Sequence, residues 1–301
     1  MEILKKLFPA KKLFSLLILA LLVATACSRN GYHPDSITQV SLINLKHKIS
    51  DLTVNNATDC FNFRFAEEQK PSEPAEGEKI EYQSAYDLFY NSETEMAATK
   101  FSEFIKNHPD SPIIDDAYNM LGCCYRNLDE HEYALDTYAS AIIDFPNGNC
   151  IAECYYNIAY IYKFKLNDKE KSIQFYIETL KHANRLDREV YYHALQELKD
   201  NNIKVDFGFN YKILDSIELF DGGIYGDVLV NTINKKTPKE ELEDMFTLIS
   251  IYEGFLEMSL YRTEEAYKSN FSESFLKSHP NALDNGYVGS INKGKITYWN
   301  K

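Results

Sequence analysis

"AYNMLGCCYRNLDEHEYALDTYASAIIDFP" spans Ala117–Pro146, and its reading decides the fold of the middle of the chain. Tyr118, Leu121, Gly122 and Tyr125 fall at i, i+3, i+4 and i+7, which is one face of a helix. Ala134 and Tyr138 mark a second helix. Pro146 closes it, because proline lacks an N–H and its ring clashes with the preceding turn. The arrangement returns as Tyr155, Ile158, Ala159 and Tyr162. Ala85, Gly122 and Ala159 are separated by 37 residues each, and Pro109 and Pro146 by the same interval. Ala97, Ala134 and Ser172 are separated by 37 and 38, as are Phe101, Tyr138 and Tyr176. A fixed interval of this size implies stacked supersecondary units.

Helix pairs are expected at about 82–109, 113–146 and 150–183. A further helix at about 187–200 should end the stack with a more polar outer face. The small residues Ala85, Gly122, Ala159, Ala97 and Ala134 are the packing positions, where a larger side chain would overpack by about 1–3 kcal/mol. The Tyr-x-x-Leu-Gly-x-x-Tyr run, Ala134-x-x-x-Tyr138 and Pro146 resemble the tetratricopeptide repeat (TPR), a helix–turn–helix unit. The resemblance covers about residues 82–184. It extends to TPR lipoproteins of the bacterial envelope, such as the accessory lipoprotein of outer-membrane β-barrel assembly and the Tol-Pal coordinating protein. It implies a concave face built by the first helix of each pair. Here that face maps to Asp116, Asn119, Cys123 and Arg126, then Glu153, Tyr156, Tyr160 and Lys163. Mixed charge with two tyrosines suits a peptide or protein segment, and a merely solvated helix face is the alternative.

The adjacent Cys123 and Cys124 point about 100° apart on a helix, so they cannot chelate one metal together. Cys150 and Cys154 share a face, but a zinc site needs four ligands and no histidine lies at a suitable spacing. Cys124 and Cys154 sit about 10 Å out of register on neighbouring first helices, beyond disulfide reach. Without Cys27, five cysteines remain, so at least one is unpaired. They read as structural thiols, with no metal or other cofactor expected.

The chain opens "MEILKKLFPAKKLFSLLILALLVATAC", a lysine-rich start, an apolar run from Leu13 to Val23 and small residues before Cys27. Residues 1–26 have the layout of a secretory signal, and the apolar run is too short for a spanning helix. The segment resembles the lipobox of bacterial lipoproteins, departing from it at Ala24, where that family usually has leucine. The resemblance implies acylation of Cys27 and a membrane anchor made by several acyl chains together. An ordinary cleaved signal is the alternative. Ser28 is not the aspartate that signals inner-membrane retention in such lipoproteins. The resemblance therefore points to the outer membrane; of its two leaflets the periplasmic face is preferred to the surface, and both stay open.

Residues 27–65 are weakly patterned, with one helix expected at about 36–49. Residues 66–81 hold six acids, two lysines and two prolines, the composition of an extended linker. The net charge of −13 and the lack of a basic stripe exclude nucleic acid as a partner. Past Asn202 the interval is lost. Strands are expected on either side of Asp221-Gly222-Gly223, a turn signal. Thr237-Pro238-Lys239-Glu240 reads as a capping box, opening a helix that runs to Glu253 and stops at Gly254. A strand over 256–262, a helix capped by Thr263 and reaching toward His279, and a hairpin at Asn292-Lys293-Gly294 follow. The order ββαβαββ makes residues 204–301 a small α+β domain, its helices on one side of a mostly antiparallel sheet. The whole is thus an α+β multidomain chain: an all-α TPR-like solenoid over 82–201, then this domain.

His279 is its most site-like residue, with Asp221, Tyr261 and Arg262 elsewhere, but no catalytic motif accompanies them. A non-enzymatic scaffold in the cell envelope is the leading expectation, with an unidentified envelope protein or peptide as partner. An enzyme or enzyme subunit with its site in the C-terminal domain, or a structural subunit of a surface assembly, are the alternatives.

Overall fold

The computed structural model describes residues 61–66, 72–220, 222–292 and 295–298. The signal segment, Cys27, the helix expected at 36–49, Cys60 and residues 67–71 lie outside the described residues.

Three antiparallel helix pairs stack in sequence. They are α1 (Glu76–Tyr90) with α2 (Thr94–Asn107), α3 (Ile114–Asn127) with α4 (His131–Asp144), and α5 (Ile151–Phe164) with α6 (Lys169–His182). A seventh helix, α7 (Arg188–Asp200), follows. Every periodic packing position is buried: Ala85, Ala97, Phe101, Ala134, Tyr138 and Ala159 are fully excluded from solvent, Ser172 and Tyr176 nearly so. The turn inside each pair also repeats. Ser92, Asp129 and Asn167 take the left-handed conformation, with φ of 65°, 58° and 52°. Their spacing of 37 and 38 matches that of the packing residues. Short polar side chains tolerate this region better than most.

Several expectations are corrected. The first helix starts at Glu76, six residues before the predicted boundary, so the last part of the acidic 66–81 stretch is helical. Glu76 and Glu78 lie in its first turn, where negative charge suits the helix dipole. Residues 61–65, directly ahead of that stretch, belong to the folded body. Strand β1 (Phe61–Asn62) pairs in parallel with β2 (Val205–Asp206), and Phe63 is 1% exposed. Residues 61–63, on the far side of the acidic stretch, are therefore packed in the same body as the repeats. The last helix, α7, keeps a polar face in solvent, with Arg188, Glu189, Tyr192, His193 and Asp200 exposed. The C-terminal module covers another part of it: Gln196 and Lys199 donate to the carbonyls of Ile251 (2.6 Å) and Tyr252 (2.5 Å).

That module is a five-stranded sheet in the order β3 (Lys212–Glu218), β4 (Ile224–Leu229), β5 (Glu257–Tyr261), β6 (Tyr287–Asn292), β7 (Lys295–Tyr298). Only β4–β5 is parallel. Their crossover is α8 (Lys239–Glu253). Gly222 turns the β3–β4 hairpin at φ +83°, and Gly254 ends α8 at φ +81°. The capping box is not formed, because the Thr237 hydroxyl accepts from the amide of Asn234 (2.9 Å) in the preceding loop. Thr263 does cap α9 (Glu264–Phe271), accepting from the Ala266 amide at 3.2 Å. The helix expected beyond it is broken into α10 (Glu273–Ser278) and α11 (Ala282–Gly286), because Ser272 is extended.

The helices occupy both faces of the sheet. Val228, Met258, Leu260 and Ile291 pack with Leu242, Met245, Phe246 and Ile249 of α8. On the other face, α9 reaches Tyr261 through Tyr267 and Asn270. The alternation of strand side chains gives the sheet two different faces, and Tyr and Asp residues form the second. Leu248 and Ile251, on the remaining side of α8, join the core of the repeats. The helix is buried from two directions and ties the module to the stack.

Candidate protein-interaction face

The first helices α1, α3, α5 and α7 lie beside one another and bring the sequence-predicted face residues together. Asn119 of α3 donates to Glu153 of α5 at 2.7 Å. Asn157 of α5 donates back to Asn119 at 3.2 Å. Arg126 donates to Asn157 and lies 5.4 Å over the Tyr160 ring, a cation–π contact. One repeat later Lys163 pairs with Glu197 of α7, so the cationic rung recurs. The face is a polar ladder between helices as well as a surface. Asn119 is buried; Asp116, Arg126, Glu153, Tyr156, Tyr160 and Lys163 are partly buried.

Its upper end is acidic. Burial first, then the charge of Asp115, pushes Asp116 up to about 7, although Asn149 donates to it at 3.2 Å. Burial and the nearby Asp187 raise Glu153 above the ordinary carboxylate range, against its bond from Asn119. Tyr156 packs on Tyr176 and His193, each ring centre 6.0 Å away. Tyr160 rests on Phe164, itself exposed.

The cysteines fall inside this framework. Cys123, Cys124, Cys150 and Cys154 are free thiols. Burial pushes Cys124 up to about 12 and raises Cys123. A hydrogen bond with Cys154, then burial, raises Cys150. Thiols held protonated are poor nucleophiles and poor metal ligands. Among the described residues no three His, Cys, Asp or Glu side chains are grouped to hold a metal ion.

In the C-terminal module, His279 stacks on Phe275 at 4.1 Å and its Nδ1 lies 3.2 Å from the Phe275 carbonyl, at the end of its own short helix. The structure does not gather it with Tyr261 and Arg262. Tyr261 instead belongs to a network that the sequence did not reveal. Its phenol and that of Tyr225 donate to one oxygen of the buried Asp227, at 3.0 and 2.7 Å. Asn270 donates to Tyr261 at 2.9 Å. Alternation along β4 and β5 places Tyr225, Asp227, Ser259 and Tyr261 on one face, which was the available signal. Burial raises Asp227 above the ordinary carboxylate range.

No helix among the described residues is long and apolar enough to cross a membrane. A comparison with curated proteins gives no match. Two tetratricopeptide-repeat families match, over residues 116–148 and 152–187. These are the α3/α4 pair and the α5/α6 pair, the latter with the loop that follows it, so the middle of this chain is a tetratricopeptide-repeat scaffold for protein interaction.

Proposed function

We propose that this protein is a non-enzymatic lipoprotein of the bacterial outer membrane, anchored through Cys27, whose repeat face recruits another envelope protein or peptide. One observation carries the recruiting role: the first helices set Tyr156, Tyr160, Arg126 and Lys163 side by side on one continuous surface. Aromatic and arginine side chains held in place by neighbours offer contact area at little further ordering cost. The lysine-rich, apolar and small-residue order before Cys27 supports the anchor.

Pull-down of the full-length protein from detergent extracts should recover a stoichiometric partner, and Tyr160→Ala should lose it. Repeated recovery of the protein alone counts against recruitment. Cys27→Ser should release the protein from membranes, and continued attachment refutes the lipid anchor.

A second recruiting surface is favoured by β3, an edge strand with six of its seven residues exposed, Ile213 and Ile217 among them. Such an edge can accept an added strand. Ile217→Lys should abolish recovery of a partner bound there and leave one bound by the repeats.

A further inference from the structure

A cleft of about 300 Å³ opens where the repeat stack meets the C-terminal module. One wall is the strip formed by β1, β2 and the residues that follow each. The other is α8. Arg185, from the α6–α7 loop, contributes to the lining. Ligand sites favour such junctions, and the volume lies at the small end of their range of roughly 300–1,000 Å³.

The apolar lining is aromatic on the strip side. Phe207 and Phe209 stack at 5.8 Å, and Phe65 meets Phe63 edge-on at 5.0 Å. On the α8 side, Glu241, Met245 and Leu248 follow at i, i+4 and i+7, so one helix face looks into the cleft.

The charges decide the ligand. Arg185 is committed: Nε and one terminal nitrogen donate to the two oxygens of Asp244 at 2.8 and 2.7 Å, and the other terminal nitrogen pairs with Glu240 at 3.0 Å. Arg64 is different. It donates to the main-chain oxygens of Phe63 and Asp206, and no carboxylate among the described residues pairs with it. Its guanidinium sits against Gly208, where a Cβ would lie 2.0 Å from one of its nitrogens, and Gly208 has φ +77°. Glu241, on the α8 wall, also has no cationic partner among the described residues. One unmatched cation and one unmatched anion thus belong to different walls, with aromatic rings among the lining.

We propose that the cleft binds a small zwitterion with an apolar side chain, an aromatic or branched aliphatic amino acid. Its carboxylate pairs with Arg64, its ammonium with Glu241, and its side chain packs on Phe65, Phe207 and Phe209.

The test is calorimetric titration and thermal shift of the full-length protein in detergent. L-phenylalanine or L-leucine should bind saturably, with Kd of about 1 mM or tighter, and raise Tm. N-acetyl-L-phenylalanine, phenethylamine and glycine, each lacking one recognised group, should bind at least about tenfold more weakly. Arg64→Gln and Glu241→Gln, both at exposed positions, should lower affinity by a similar factor. No saturable binding of either amino acid up to about 10 mM overturns the proposal. So does binding that neither variant weakens. The analogue series on the unmodified protein decides the matter if a variant does not fold.

Discussion

The Tyr138 ring occupies the space that a side chain on Gly122 would need: a Cβ built there would lie 2.4 Å from Tyr138 Cε1. Both residues are periodic packing positions, one from each helix of the α3/α4 pair, and Tyr138 is fully buried. The absent methyl group is what lets the two helices close. Gly122→Ala should therefore destabilise the protein by about 1–3 kcal/mol through overpacking. Gly77, in the first turn of α1, has nothing within 4 Å of its Cβ position. Gly77→Ala should stabilise by up to about 1 kcal/mol. Urea denaturation of the two variants checks the contrast, and equal effects would remove the packing explanation.

Asp116 links stability to pH. Folding raises its pKa to about 7 from the ordinary 3.8. Between these values the folded chain holds a proton that the unfolded chain has released. Stability must then decline as pH rises from about 4 to about 7, by roughly 2–4 kcal/mol from this group. Asp116→Asn should flatten that part of the profile and be more stable than the parent at pH 8. Denaturation midpoints at pH 5 and pH 8 for both proteins measure it.

Cys123, Cys124, Cys150 and Cys154 should resist thiol reagents in the native state and react once the chain is unfolded. Cys124, Cys150 and Cys154 are buried and Cys123 is partly so, and the surroundings of Cys123, Cys124 and Cys150 hold those three thiols protonated. Alkylation followed by peptide mass mapping, with and without denaturant, reads each site. Fast native labelling of Cys124 would mean that the α3 packing is looser than described.

Phe63 tests whether the segment ahead of the acidic stretch is structural. Its ring is buried against Phe65, Phe207 and Tyr191, which belong to the segment itself, to the residues after β2 and to α7. Phe63→Ala should cost about 3–5 kcal/mol. A denaturation curve unchanged by the substitution would place residues 61–66 outside the cooperative unit.

Tyr156 and Tyr160 look equivalent in the sequence, as exposed-face tyrosines four residues apart, but their surroundings differ. Tyr156 packs on Tyr176 and His193 from two other helices, whereas Tyr160 rests on Phe164 of its own helix beneath Arg126. Tyr156→Ala should lower Tm by several degrees and Tyr160→Ala by less, so partner loss is interpretable only for Tyr160. Thermal melts of both variants check this ordering.

The helix pairs, their boundaries to within about two residues except at the start of α1, and the small packing positions were legible in the sequence alone. They rest on short-range patterns, side chains three and four residues apart, multiplied by an interval of 37 or 38 that repeats the same local solution. The repeating left-handed turn at Ser92, Asp129 and Asn167 was equally available at that interval. The strands of the five-stranded sheet and the Gly254 stop were legible for the same local reason, whereas the short β1 and β2 were not. Only the tertiary structure decided that Phe61 pairs with Val205, that α8 is buried from two sides, that Asp227 gathers two phenols, and that Arg64 and Glu241 line one cleft. Those relationships join residues far apart in the chain. Which distant surfaces meet depends on the shape and burial of the whole, and no local periodicity encodes that.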